Sequence, residues 1–117
     1  MRAHFKVKIS SVKEPNKFIF VDLPVRVGFP VSVVPSHKLV EIGVKPVDKV
    51  KVLLADGKEA IRNVGVAFFE LMGRRTVGPV VFGEEKDKRV LGVSTLETLG
   101  LLFDPKTGEL KPKRIRF

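Results

Sequence analysis

The chain has 117 residues, of which 44% are hydrophobic and 30% are charged, and this balance predicts one globular domain over residues 1–117 rather than a disordered chain. It contains no cysteine, which excludes disulfides, thiolate metal sites and thiol nucleophiles. The 22 Lys and Arg residues outnumber the 13 Asp and Glu residues and give a formal net charge of +9, which favours anionic partners without identifying one.

Composition also limits the cellular setting. No stretch approaches the roughly 20 apolar residues of a membrane span. Residues Met1 to Lys6 lack the apolar core of a signal peptide. We therefore expect a cytoplasmic protein without a membrane partner. The two histidines, His4 and His37, do not have the spacing of metal ligands, so we expect neither a metal ion nor a cofactor.

The first third of the chain predicts a hairpin and a short helix. His4 to Ser10 alternates between apolar and polar residues, and Lys17 to Leu23 resumes as a strand after a turn cluster, which is typical of an antiparallel hairpin. The apolar run from Val25 to Val34 follows. Ser36 is a candidate N-cap for a helix that Gly43 would end.

The middle of the chain predicts two further hairpins. Val47 to Leu54 is typical of a strand, and Asp56-Gly57 predicts a type I′ turn, because both residues tolerate positive φ. Strand character then continues from about Glu59 to Leu71. Residues 72–75 predict a turn, and Thr76 to Phe82 pairs back.

The last third begins with a charged loop at Glu84 to Arg89. Ser94 to Glu97 has the pattern of a capping box at the start of a second short helix. Leu101 to Asp104 predicts a core strand, and Leu110 to Phe117 predicts a basic tail or an edge strand. Many short strands and two short helices together predict a mainly-β, barrel-like domain.

Three segments, in this order, resemble motifs of the retropepsin-like aspartic peptidases. They are Val25–Phe29 followed by Val33–Pro35 and Ile42-Gly43, the hairpin Gly73–Gly83, and Val90–Gly100. In addition, Leu53–Gly57 and Leu102–Pro105 are similar to a microbial branch of single-domain members. The resemblance covers nearly the whole chain and implies a closed β-barrel of the acid-protease fold, with one or two short helices, that forms a homodimer.

The resemblance also implies a defective catalytic site. In the family, an Asp-Thr-Gly segment of each subunit supplies one catalytic carboxylate, and the two carboxylates share a proton. Here Arg26 stands at the Asp position and Val27 at the Thr position, so that only Gly28 matches. A guanidinium does not lose its proton in proteins, and Val27 has no hydroxyl. Val93 also stands where many retroviral members have a dimer-bracing Arg.

A shifted catalytic residue is an alternative. Asp22 lies four residues before Arg26, but Leu23-Pro24 does not reproduce the Thr-Gly turn, and its use breaks the spacing to Val34-Pro35. The simpler interpretation of Asp22 is a solvent-facing residue on a hairpin strand.

Three functions follow. The first is a catalytically inactive homodimer that binds a peptide or protein segment, with a flap and cleft formed by Ala55, Asp56, Gly57, Arg26 and Phe29; the simpler alternative makes Arg26 a tolerated surface replacement. The second is a nucleic-acid-binding module. The simpler interpretation of the basic residues near the C-terminus is a solvated tail without a binding function. Its candidate contacts are Lys6, Lys8, Lys113, Arg114 and Arg116. The third is an active aspartic peptidase that uses Asp22 or a catalytic Asp from a paralogous partner subunit.

Overall fold

The computed structural model describes residues 3–26 and 28–114 and contains mostly β-strands in this range. In chain order the elements are β1 (His4–Ser11), β2 (Phe18–Pro24), β3 (Ser32–Pro35), α1 (Ser36–Glu41), β4 (Asp48–Leu53), β5 (Glu59–Leu71), β6 (Arg74–Gly83), α2 (Val93–Thr98), β7 (Leu101–Asp104) and β8 (Glu109–Pro112). The predicted mainly-β domain with two short helices is confirmed. Within the described residues, neither helix has the length and apolar character needed to cross a membrane.

Strand β5 is the centre of a sheet with the order β2-β1-β5-β6-β3. Its first half pairs with β4 and its second half with β1, while β6 pairs along residues 64–71 from the opposite side. Among the strand pairs that the structure describes, only β3–β6 is parallel. Because β4 and the first half of β5 have no third strand beside them for most of their length, they form a projecting hairpin, whose side chains are mostly exposed.

The predicted closed barrel is not formed by the described strands. The sheet has open edges at β2 and β3, and β8 pairs with β7 in a separate two-stranded sheet. Two isolated bridges, Val25 to Leu91 and Val33 to Val90, connect the opposite ends of the open sheet instead. The segment at residues 90–91 therefore lies between the end of β2 and β3, joined by single contacts rather than by a ladder.

The core lies on one face of the sheet because apolar residues alternate along the strands. Val7 and Ile9 of β1 and Phe69 of β5 are completely buried. Both helices contact β3 and β6, and they cover this face with Leu39 from α1 and Leu96 from α2. Leu99, which directly follows α2, is buried as well.

Both predicted helix caps are wrong. Ser36 is already inside α1, and Ser94 is inside α2, whose N-cap is Gly92 without a side-chain bond. The first amides of α2 are instead satisfied by the loop between β2 and β3, since the backbone N–H groups of Val93 and Ser94 donate to the carbonyls of Phe29 and Pro30, each at 2.9 Å. Tertiary contacts thus replace the local capping box.

The hairpin turns also differ from the prediction. Among the described non-glycine residues only Met72 has positive φ, so Asp56-Gly57 is not a type I′ turn. The amide of Gly57 donates to the Leu54 carbonyl and that of Leu54 to the Lys58 carbonyl, which is the pattern of a tight turn followed by a glycine bulge. The two successive positive φ values that define type I′ occur at Met72 (54°) and Gly73 (72°), in the β5–β6 hairpin.

Candidate functional site

Arg26 lies where the chain leaves β2. The amide of Leu91 donates to the Pro24 carbonyl at 2.8 Å and holds this end of β2 against the 90–91 segment. The amide of Phe29 then closes a turn on the Arg26 carbonyl at 3.3 Å. Gly28 has a φ of +92°, in the left-handed region that favours glycine. Val27, which stands at the family's Thr position, lies outside the described residues.

A buried hydroxyl pair fixes the chain after this turn. The Ser32 hydroxyl accepts a hydrogen bond from the Gly92 amide at 2.8 Å and lies 2.6 Å from the Thr95 hydroxyl oxygen. Ser32 is completely buried, and a Cβ at Gly92 would lie 2.4 Å from the Val31 carbonyl carbon. The loop that carries Arg26 is therefore clamped against the start of α2 by close backbone packing and by polar bonds.

The Arg26 side chain lines an open cavity of about 430 Å³. Its Nε atom is shielded from solvent and has no hydrogen-bond partner within residues 3–26 and 28–114. A buried donor without an acceptor costs about 1–3 kcal/mol. The Nε atom of Arg26 is thus a donor that lacks an acceptor among the described residues.

Cations outnumber free carboxylates around this cavity. Its other lining residues are His4, Asp22, Pro24, Asp87, Lys88 and Arg89. Asp87 is already neutralised by an arginine on β5, and Asp22 lies 3.6 Å from the Nδ1 atom of His4. Of the two carboxylates in this lining, only Asp22 lacks an arginine partner. The positive charges of Arg26, Lys88 and Arg89 outnumber it, so the cavity favours an anionic group.

Arg62 binds Asp87 through two hydrogen bonds. Its Nε donates to Oδ2 at 2.6 Å and its Nη2 donates to Oδ1 at 3.0 Å, and only 11% and 15% of the two side chains are exposed. The bond from Arg62 lowers the pKa of Asp87, and the same bond raises the pKa of Arg62. Asp87 thus stays ionised and cannot share a proton with a second carboxylate at neutral pH.

The Arg62–Asp87 pair also connects two parts of the molecule. Arg62 belongs to the projecting β4–β5 hairpin, and Asp87 belongs to the charged loop at residues 84–89, where it also accepts a hydrogen bond from the Glu84 amide. This loop lines the Arg26 cavity and a second cavity of about 750 Å³ beside α1. The pair therefore determines where the hairpin sits relative to both cavities.

Asp22 has the position of a surface residue. It lies on the outer face of β2 with 67% of its side chain exposed. Lys6 is its partner across the β1–β2 ladder. Asp87, the other carboxylate that lines this cavity, is bound to Arg62. The surroundings lack a carboxylate that would share a proton with Asp22 within the described residues of this single chain.

The predicted flap and cleft residues are not all brought together. Ala55, Asp56 and Gly57 form the exposed tip of the β4–β5 hairpin, where the Asp56 carboxylate accepts a hydrogen bond from the Lys58 amide at 2.9 Å. These three residues do not line the cavity around Arg26. Phe29 is exposed in the turn after Arg26. In this single chain, the hairpin tip and the Arg26 cavity are separate features.

The candidate nucleic-acid contacts also divide into two groups. Lys6 and Lys8 lie on the outer face of β1, whereas Lys113 follows β8 and donates its amide to the Gly100 carbonyl at 2.8 Å. Within the described residues, β8 pairs with β7 and not with β1. Arg114 follows Lys113, and Arg116 lies outside the described residues.

Sequence reasoning missed the contribution of residues 84–89 to the cavity. That segment was interpreted only as a charged loop, yet Asp87, Lys88 and Arg89 all line the Arg26 cavity. The available signal was position, because the loop immediately precedes Val90–Gly100, one of the three segments that carry the resemblance.

Comparison with known proteins leaves the family open. No protein-family model matches the chain, and neither the curated proteins nor the solved structures contain a match. The resemblance to retropepsin-like peptidases therefore remains a prediction from the motifs.

Proposed function

We propose that this chain is a catalytically inactive relative of the retropepsin-like peptidases that acts in the cytoplasm as a homodimer and binds an extended peptide or protein segment. The proposal rests on Arg26, which lines an open cavity. The Nε donor of this arginine is buried and lacks an acceptor among the described residues. The cavity lies at the position that the motif resemblance assigns to the catalytic carboxylate.

The chemistry of the cavity selects the ligand class. A carboxylate binds a guanidinium through two parallel hydrogen bonds, which are stronger than bonds between neutral groups. Lys88 and Arg89 add attraction for the same charge. An Asp or Glu side chain, or a terminal carboxylate, of an extended segment is therefore the group we propose at Arg26.

The absence of peptidase chemistry is part of the proposal. Arg26 cannot act as a base, and Asp87 is held ionised by Arg62. An active enzyme that uses Asp22, or an Asp from a paralogous subunit, is the alternative. It predicts pepstatin-sensitive cleavage of an unfolded protein between about pH 3 and 7, which the loss of Asp22 or of the partner would remove.

Labelled peptides test the binding proposal. A fluorescein-labelled heptapeptide of alternating Val and Thr with a central Glu is compared with the same peptide carrying Gln, by fluorescence anisotropy. We expect the wild type to prefer the Glu peptide by about tenfold, the equivalent of one charge-assisted hydrogen bond. The Arg26→Gln variant should bind both peptides equally.

Arg75→Gln is the matched control, because Arg75 is an exposed arginine on β6, away from the cavity lining. It should preserve the preference for Glu. Equal binding of both peptides by the wild type, or an unchanged preference in Arg26→Gln, would refute the assignment of Arg26 as the carboxylate contact.

A further inference from the structure

The face of the sheet opposite the core carries an unusual set of side chains. Strand register places Lys8 between Phe20 of β2 and Glu70 of β5, and places Ser10 between Phe18 and Phe68. On the far side of β5, Arg75 is opposite Glu70. We refer to Lys6, Lys8, Phe18, Phe20, Phe68 and Arg75 as the outer aromatic face.

Two of the three aromatic rings of this face are exposed, whereas Phe68 is half-buried beneath Arg75. Phe18 and Phe20 are 45% and 53% exposed, although they stand in regular strands beside a well-filled core. Val66 and Val77 continue the apolar surface on β5 and β6. Single exposed apolar residues are ordinary on protein surfaces, but a group of them on three strands of one sheet face is typical of a binding surface.

A cation lies against each of the three rings. The Nζ atoms of Lys6 and Lys8 are 5.1 Å and 4.4 Å from the ring centroids of Phe20 and Phe18. The Arg75 guanidinium carbon is 3.8 Å from the ring centroid of Phe68. Each ring is therefore paired with one positive charge from a neighbouring strand.

The charge of the face restricts the partner. Its carboxylates are Glu70, which is 4.0 Å from Lys8, and Asp22, which lies at the border beside His4. The three cations Lys6, Lys8 and Arg75 outnumber these two carboxylates, and the whole chain carries a net charge of +9. A second copy of the chain would bring the same surplus of positive charge, so the face is better suited to a polyanion.

We infer that the outer aromatic face binds single-stranded nucleic acid. Proteins that bind single strands combine positive charge along the backbone with aromatic side chains on which bases stack, because every base has a flat π-surface. Bases would stack on Phe18, Phe20 and Phe68, while phosphates contact the cations as these swing off the rings. This activity differs from the proposed peptide binding, and it does not use Arg26.

Anisotropy with a labelled oligothymidylate, compared with a duplex of equal length, tests the inference. The Phe18→Ala/Phe20→Ala variant removes two exposed rings without opening the core. Each stacked base contributes about 1–3 kcal/mol, so we expect its affinity for the single strand to fall at least tenfold. Lys6→Gln/Lys8→Gln should reduce the slope of affinity against salt, whereas the phenylalanine variant should leave that slope unchanged.

Two controls use the projecting hairpin. Leu53→Ala/Ile61→Ala removes exposed apolar side chains, one on β4 and one on β5. Lys49→Gln/Lys51→Gln removes two exposed cations on β4. All four residues lie away from the outer aromatic face. The apolar control should bind like the wild type, and the charge control should retain most of the salt slope. Wild-type circular dichroism in every variant confirms that folding is intact.

Three results would overturn the inference. The first is equal affinity for duplex and single strand, which would indicate attraction to any polyanion. The second is unchanged binding by the phenylalanine variant. The third is self-association of the wild type that this variant abolishes in sedimentation experiments, which would assign the face to a second copy of the chain. Binding that survives in Arg26→Gln keeps this result separate from the peptide proposal.

Discussion

Gly92 illustrates how a single residue holds the candidate site in place. A glycine there lets the start of α2 contact the backbone of residues 30–32, and its amide donates to the buried Ser32 hydroxyl. Ser32 also contacts the Thr95 hydroxyl. The turn that carries Arg26 is thus fixed from its C-terminal side by one small residue and two hydroxyls.

We predict that Gly92→Ala lowers the free energy of unfolding by about 3 kcal/mol or more, because the new methyl group would overlap backbone atoms that cannot move aside. Urea unfolding measures the change. Gly78→Ala is the matched control, since a Cβ at Gly78 meets no heavy atom within 4 Å. Equal stability of the two variants would show that the 30–32 backbone relaxes easily.

Met72 carries a conformational cost in the β5–β6 hairpin. Its positive φ of 54° is in the left-handed region, which costs a residue with an ordinary side chain about 1–2 kcal/mol. Asn tolerates this region better and is favoured in type I′ turns. The side chain of Met72 is exposed, so its replacement removes little packing.

Met72→Asn should therefore raise the free energy of unfolding by about 0.5–1 kcal/mol, and Met72→Val should lower it, because a β-branched side chain is the least tolerant of positive φ. Thermal unfolding of both variants beside the wild type measures the two effects. Loss of stability in Met72→Asn would contradict the type I′ assignment.

At the scale of elements, the Arg62–Asp87 pair couples the projecting hairpin to the 84–89 loop. We predict that Asp87→Asn lowers stability at pH 7 by about 1–3 kcal/mol, which is the usual contribution of hydrogen bonds to charged groups. Glu84→Gln is the control, because Glu84 is exposed and its carboxylate is 3.9 Å from Arg62. It should change stability by less than about 1 kcal/mol.

The pH dependence has a definite sign. Because the folded-state pKa of Asp87 is below the ordinary value of 3.8, its contribution to stability is complete above that value and is lost as the pH falls through the lowered pKa. The stability difference between wild type and Asp87→Asn should thus be constant from neutral pH to about pH 4 and shrink below it. A difference that is already declining between pH 7 and pH 5 would contradict the lowered pKa.

At the scale of the whole molecule, the proposed homodimer has a consequence for Arg26. If two chains pair as in the resembled family, the two guanidinium groups approach the symmetry axis. Like charges about 4 Å apart repel by about 4 kcal/mol at an effective dielectric constant near 20. An acceptor from a ligand or a partner chain would relieve this repulsion, in agreement with the unpartnered Nε.

Arg26→Gln should therefore strengthen self-association, most strongly at low ionic strength, where screening is weakest. Analytical ultracentrifugation of wild type and variant at two salt concentrations measures the effect, with Arg75→Gln as the control. A wild type that stays monomeric at high protein concentration, with no change in the variant, would refute both the dimer and the central position of Arg26.

The sequence by itself determined the elements whose causes are local. Alternation along His4 to Ser10, followed by a turn cluster and an apolar run at Lys17 to Leu23, predicted the first hairpin, and Gly43 predicted the end of α1, where it has positive φ. That Arg26 stands where a family member would have a catalytic carboxylate stays a prediction from motif spacing.

Only the tertiary structure decided what depends on distant partners. The amides at the start of α2 are satisfied by carbonyls about sixty residues earlier, so the Ser94–Glu97 capping pattern had no role to fill. Met72 and Gly73 adopt the type I′ conformation because the β5–β6 register, which pairs Leu71 with Arg74, requires a two-residue connection there. The cations around Arg26 came from the 84–89 loop, which Arg62 holds in place. Local propensities of about 1 kcal/mol per residue are smaller than the long-range pairing and burial that select among them, which is why these features were not readable from sequence.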